Sequence, residues 1–148
     1  MPAPRLRIDL QVGSRAARPP APRQVRRWVS AALGRSGEIT IRIVGAAEAR
    51  RLNLRYRGED HATNVLSFPY ALSRAAVRGD IVLCAPVIDR EARAQGKSLE
   101  AHFAHLVVHA VLHLLGHDHS RRRDAERMEA IEKRVLAKLG YPDPYDAH

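Results

Sequence analysis

His109–His119 reads HAVLHLLGHDH, four histidines in eleven positions within a run rich in leucine and valine. His109 and His113 are four residues apart in an apolar stretch that includes Leu106, Val107, Val108, Val111, Leu112, Leu114 and Leu115. In a helix they therefore project from one face, one turn apart. Two imidazoles so placed can chelate one ion. Gly116 can take the left-handed conformation that ends a helix, after which the chain doubles back and brings His119 towards the same ion. Three neutral nitrogens with a fourth position open describe a catalytic Zn²⁺ site, one ion per chain. A structural site is normally closed by four side chains, usually including thiolates, which the single cysteine, Cys84, cannot supply. His117 is the rival third ligand, but it lies one residue past Gly116, where the chain has barely begun to turn. Asp118 is a candidate to accept a hydrogen bond from a ligand imidazole and fix its tautomer; the alternative is a solvent-facing turn residue. Three imidazoles also suit Ni²⁺, Cu²⁺ or Fe²⁺.

Zinc peptidases of the metzincin type space their histidines and glycine in the same way, but carry a glutamate after the first histidine as general base. Here that position is Ala110. The segment keeps the ion-binding geometry and lacks the proteolytic acid/base, so a metalloprotease is the third reading. His102 and His105, alone on an apolar face, read as core residues rather than ligands.

Working outward, 148 residues with 45% hydrophobic and 28% charged content suit a single domain over 1–148. No uncharged apolar stretch of membrane-spanning length occurs, the start MPAPRLRIDL lacks a signal-peptide core, and one cysteine forms no internal disulfide. The expectation is a cytoplasmic protein without a membrane partner, in which Cys84, inside the apolar run Ile81–Cys84, is a buried inert thiol. An excess of 25 Lys+Arg over 16 Asp+Glu gives a formal charge of +9, mostly arginine, and nucleic acid is the natural polyanionic partner. Beside a hydrolytic metal that charge gains meaning, because metal-assisted phosphodiester cleavage needs cations to hold its substrate. Arg121, Arg122 and Arg123 directly follow the ligand segment and are candidates for an RNA track. As a charge run they also read as a solvated face.

Strands and helices alternate along the chain. Leu6, Ile8, Leu10 and Val12, and then Ile39, Ile41 and Ile43, alternate with polar residues as half-buried strands. Between them Val25, Trp28, Val29, Ala32 and Leu33 fall at helical spacing, with Pro22 near the start and Gly34 at the stop. A second helix runs from about Ala46 to Arg57 and stops at Gly58, followed by strand-like runs at Val65–Phe68 and Asp80–Cys84. Pro86 opens a helix stopped by Gly96, Ser98 can cap the histidine helix, and Met128, Ile131, Val135 and Leu139 stripe a last helix ending at Gly140. Residues 1–4 and 141–148 read as frayed ends.

Together with the histidine segment, the runs NLRYRGEDHATNVLSFP (Asn53–Pro69) and GDIVLCAPVIDREARAQGKSLEAHFAHLVVH (Gly79–His109) resemble the bacterial YbeY family of ribosomal-RNA maturation factors. The resemblance is close over Leu52–His119. It implies an α+β fold, a small mixed four-stranded sheet packed against about five helices, with the three histidines at the end of a core helix and at the mouth of a basic cleft. It also implies a metal-dependent endoribonuclease acting on single-stranded RNA, in maturation of the 3′ end of small-subunit ribosomal RNA and in ribosome quality control. Ribosomal RNA, the small subunit and its associated factors would then be the partners. Carried over by position, the family's HxxxHxxxxxH triplet falls on His109, His113 and His119, and its functional arginine on Arg57. Ala110 stands where a glycine is common, His117 where an aromatic is usual, and Asn64 where members often have aspartate. Arg57 alone would read as a helix-end cation facing the dipole; with the resemblance it becomes a fork of donors for phosphate oxygens. The alternative is a non-catalytic ribosome assembly factor with a structural metal, against which the open coordination position argues.

Overall fold

Alternating side chains build β1 (Leu6–Val12) and β2 (Gly37–Val44), joined by the amphipathic helix α1 (Pro22–Leu33). They are followed by α2 (Ala46–Arg57), β3 (Val65–Leu72), β4 (Val77–Cys84), α3 (Ala85–Gln95), α4 (Leu99–Leu114) and α5 (Arg122–Leu139). The computed structural model describes residues 5–13, 18–72, 76–117 and 119–146, so Asp118 lies outside the described residues, as do 1–4 and 147–148. The sheet order is β1-β2-β4-β3, with β1, β2 and β4 parallel and β3 antiparallel at the edge. Among the described residues this is the expected mixed four-stranded sheet with five helices.

β2 and β4 occupy the middle of the sheet. Ile39, Ile41 and Ile43 of β2 are buried under α1 and α4, whereas Glu38, Thr40 and Arg42 on the opposite face are only partly covered. From Ile81 onward β4 is covered on both faces, and its side chains divide between two cores as strand alternation requires. Ile81 and Leu83 enter the larger core with α1, α4 and α5; Val82 and Cys84 enter a smaller one with Ala49, Leu66 and Val87. Cys84 is a buried free thiol whose pKa burial pushes up, in keeping with an inert residue. β3 runs four residues beyond the expected Val65–Phe68, because Pro69, which cannot donate to a ladder, sits on the edge strand beside a register shift between Pro69 and Ala71.

α4 is apolar on nearly all sides and is correspondingly central, packed by the sheet, α1, α3 and α5. Ser98 caps it, its hydroxyl accepting from the Ala101 amide at 3.1 Å. The end expected to fray at 141–148 is held as far as its described residues reach. Tyr141 Oη donates to Glu100 at 2.8 Å and accepts from Trp28 Nε1 at 3.0 Å, and Tyr145 is anchored as set out below. Among the described residues no helix is long and apolar enough to cross a membrane.

The C-terminal end of α4 settles on the sheet at Gly79 of β4. A Cβ there would lie 2.6 Å from Leu114 Cδ2 and 3.0 Å from the Phe68 carbonyl oxygen. Gly79→Ala should therefore force the helix end outward and cost about 1–3 kcal/mol of stability in urea denaturation. A cost of a few tenths would show that this contact does not set the position of α4.

Candidate functional site

Two helix ends and one strand build the site. Gly58, at φ 72°, terminates α2 immediately after Arg57. The fully buried Asn53 donates from Nδ2 to the His61 carbonyl at 2.8 Å, which holds the following loop against α2 and delivers the chain into β3. At the other end, α4 closes at Leu114; the Leu115 amide donates to Val111, and Gly116, at φ 97°, lets the His117 amide return to Leu112 at 3.1 Å. The chain reverses there as expected, and His119 comes back over the helix end.

The result is one cavity of about 520 Å³ whose walls include Tyr56, Arg57, Asn64, His109, His113 and His119. The His119 ring centre lies 5.5 Å from that of His109 and 5.9 Å from that of His113. His117 does not line this cavity, nor do Arg121, Arg122 and Arg123. Those three arginines are exposed at the start of α5, where Arg122 pairs with Glu126 one turn on, the geometry of a solvated face. His102 and His105 also lie away from the cavity: His102 Nε2 is 2.9 Å from Glu91 Oε1, and burial lowers its pKa.

Beneath the histidines sits a residue that the sequence reading passed over. Glu132 of α5 is fully buried, its Oε2 2.9 Å from His109 Nδ1 and 3.2 Å from His105 Nε2, while its Oε1 accepts from Tyr145 Oη at 2.6 Å. Burial by itself would raise the carboxyl pKa, but the hydrogen bonds from His105, His109 and Tyr145 outweigh it and hold the group at about 2. Its stabilising contribution is therefore complete above the ordinary carboxyl value of 4.5 and is lost as pH falls through about 2. An ionised carboxylate only accepts, so His109 must donate from Nδ1, and in the neutral imidazole the lone pair is then on Nε2. The available signal was its spacing: Glu132 is four residues from both Met128 and Leu136, a charge on the buried stripe of α5.

Asn64 donates from Nδ2 to Glu91 at 3.0 Å, and Glu91 in turn meets His102. An aspartate in place of Asn64 would set carboxylate against carboxylate, so here the cavity wall is held by an amide. At the rim Tyr56 is 55% exposed, braced by Phe68 at 5.1 Å between ring centres, with the Arg55 guanidinium 5.4 Å from its own. Nothing in the sequence pattern had marked Tyr56.

Three imidazoles on one tetrahedral ion, with metal–nitrogen bonds of about 2.1 Å, place their ring centres roughly 5 Å apart. The observed separations are somewhat wider, and among the described residues no three His, Cys, Asp or Glu side chains already meet at coordinating distance. Rotation of exposed-side rings would close so small a gap. The donor set itself, three imidazoles on one cavity with one tautomer fixed from behind, fits a borderline-soft cation such as Zn²⁺.

Comparison with known proteins agrees with this architecture. Endoribonuclease YbeY of Aromatoleum aromaticum is 59% identical over 129 residues, covering 87% of this chain and 83% of that protein. The protein of the same name from Thiobacillus denitrificans is 51% identical over 144 residues, covering 97% of this chain and 98% of its own. A Thermotoga maritima protein solved in solution shares the fold, with a TM-score of 0.56 at 20% identity, over 95% of this chain and 99% of that one. The family model described as Endoribonuclease YbeY matches residues 20–140, and with relatives this similar over nearly their full length the chain belongs to that family.

Proposed function

We propose that the protein is a Zn²⁺-dependent endoribonuclease specific for single-stranded RNA, acting in the cytoplasm on the 3′ end of small-subunit ribosomal RNA and in ribosome quality control. The observation that carries the reading is the convergence of Arg57, His109, His113 and His119, from two helix ends and the turn after one of them, on a single cavity. When bound, the ion would supply a Lewis acid for a phosphoryl oxygen and activate water at neutral pH. His109 and His113, presented from one face of α4, and His119, returned by the Gly116 turn, would hold it. Arg57, whose guanidinium forms no ion pair with another described residue, would orient the scissile phosphate and stabilise the charge growing on it. Tyr56, an exposed ring beside cationic side chains, offers the surface on which an unpaired base stacks, and a duplex has no such base to offer.

Incubating the Zn²⁺-loaded protein with single-stranded RNA, double-stranded RNA and casein tests the reading. Cleavage of the single strand alone is expected; RNA bound but never cut would favour an assembly factor, and casein cleavage a peptidase. His119→Ala should abolish tight Zn²⁺ binding in a metal-content assay, whereas His117→Ala should leave most of it. The reverse ranking would overturn the assignment of the third ligand. Arg57→Ala should lower kcat on single-stranded RNA by about 10²–10³ with metal content unchanged, and Tyr56→Ala should act instead on KM, raising it roughly tenfold. Full activity in a folded Arg57→Ala protein would reduce that arginine to a helix-end charge.

A further inference from the structure

We propose that the segment 141–146 is a strap whose Tyr145 is a positioning residue for the metal centre, acting through Glu132 on His109. The inference rests on the reading of the three histidines as metal ligands and extends it to a part of the chain that touches none of them except through Glu132.

The strap leaves the end of α5 at Gly140, whose φ of 91° turns the chain, and runs back over α4 without regular secondary structure. Each part of it is tied down. Tyr141 bonds to Trp28 and Glu100; Lys97 Nζ donates to the Pro144 carbonyl at 2.7 Å; and Asp143 Oδ1 accepts from the Tyr145 amide at 2.9 Å. These anchors place the Tyr145 ring edge-on against His105, with centres 5.3 Å apart, and its hydroxyl 2.6 Å from Glu132 Oε1.

The geometry makes that hydroxyl more than an anchor. A carboxylate fully out of water needs donors on both oxygens. Oε2 accepts from His109 of α4, and the donor to Oε1 is the Tyr145 hydroxyl of the strap, which in turn lies 3.2 Å from His105 Nε2; that nitrogen is also 3.2 Å from Oε2. One donor on each oxygen, from two directions, fixes the plane of the carboxylate. With Tyr145 removed, Oε1 would be left buried without its donor, and the group could relieve this by rotating, which would draw Oε2 away from His109. The His109 ring would then lose the contact that sets its tautomer and aims Nε2 into the cavity. Partners of this kind behind a metal-binding imidazole typically contribute about 10–100-fold to metal affinity.

Tyr145→Phe deletes only the hydroxyl and keeps the ring against His105. Tyr141→Phe is the control, because it loosens the same strap at a hydroxyl that does not reach Glu132. Zn²⁺ affinity of both variants and of the unaltered protein is measured by competition with a chelating indicator. The expected result is a loss of about tenfold or more for Tyr145→Phe, with Tyr141→Phe close to the unaltered protein. Unchanged affinity in Tyr145→Phe would overturn the proposal while leaving the metal site intact, and equal losses in both variants would reduce the strap to a structural clamp. If the unaltered protein itself fails to bind Zn²⁺, the metal reading falls and this inference falls with it.

Discussion

A carboxylate sealed inside a protein core is tolerated only where enough donors surround it, and Glu132 meets that demand with the His109 imidazole of α4 and the Tyr145 phenol of the C-terminal segment, with the His105 ring beside both. The requirement fixes several things at once. It sets how α5 lies against α4, since the carboxylate must reach both His105 and His109. It selects the proton position on His109 and so decides which nitrogen remains for the cavity. It also gives residues 141–146 a defined place, because without Tyr145 one carboxylate oxygen would be buried without a donor. The candidate centre is thus supported from inside the core rather than built on a surface loop, as a site that must hold its geometry requires.

The opposite wall depends on a different constraint, the close approach of strand and helix. Gly79 lets Leu114 sit almost on the backbone of β4, which brings the end of α4, and with it His113, down beside β3. β3 runs antiparallel at the edge, and Asn64, directly before it, stands in the cavity wall, where its amide is held by Glu91. α2 contributes Arg57 only because Gly58 stops the helix at that residue. Left-handed glycines at Gly58 and Gly116 therefore put an arginine and a histidine from distant parts of the sequence on one cavity.

Local physics was legible in the sequence wherever one residue type dominates. The two-residue period located β1 and β2 and the 3.6-residue period α1, while Gly34, Gly58, Gly96 and Gly140 marked helix ends that the structure places at the same residues; β3 and β4, read from short apolar runs, are longer than the runs showed. The spacing of His109, His113 and His119 also reads directly, because the turn that joins them is encoded within the segment itself. Longer-range features were not legible in this way. The stripe of α5 read from apolar residues ran through Ile131 and Val135, whereas the fully covered positions are Met128, Glu132 and Leu136. A stripe traced through apolar residues alone leaves out Glu132, and with it the network under His109. The anchoring of Tyr141 and Tyr145 was equally hidden, since their partners Trp28, Glu100 and Glu132 are brought together only by the packing of α1, α4 and α5. Strand order, with β4 rather than β3 beside β2, follows from the global topology, which no local period encodes.

The account turns on the proton that Glu132 holds at His109 Nδ1, and ¹⁵N NMR of the histidine rings in the metal-free protein at mildly alkaline pH observes that proton directly. His109 should appear as a single Nδ1–H tautomer, and should become a mixture or shift to Nε2–H in Glu132→Gln, whose amide no longer demands a donor on both sides. A His109 ring found predominantly as Nε2–H in the unaltered protein would contradict the account, because the nitrogen assigned to the metal would then be the one carrying the proton.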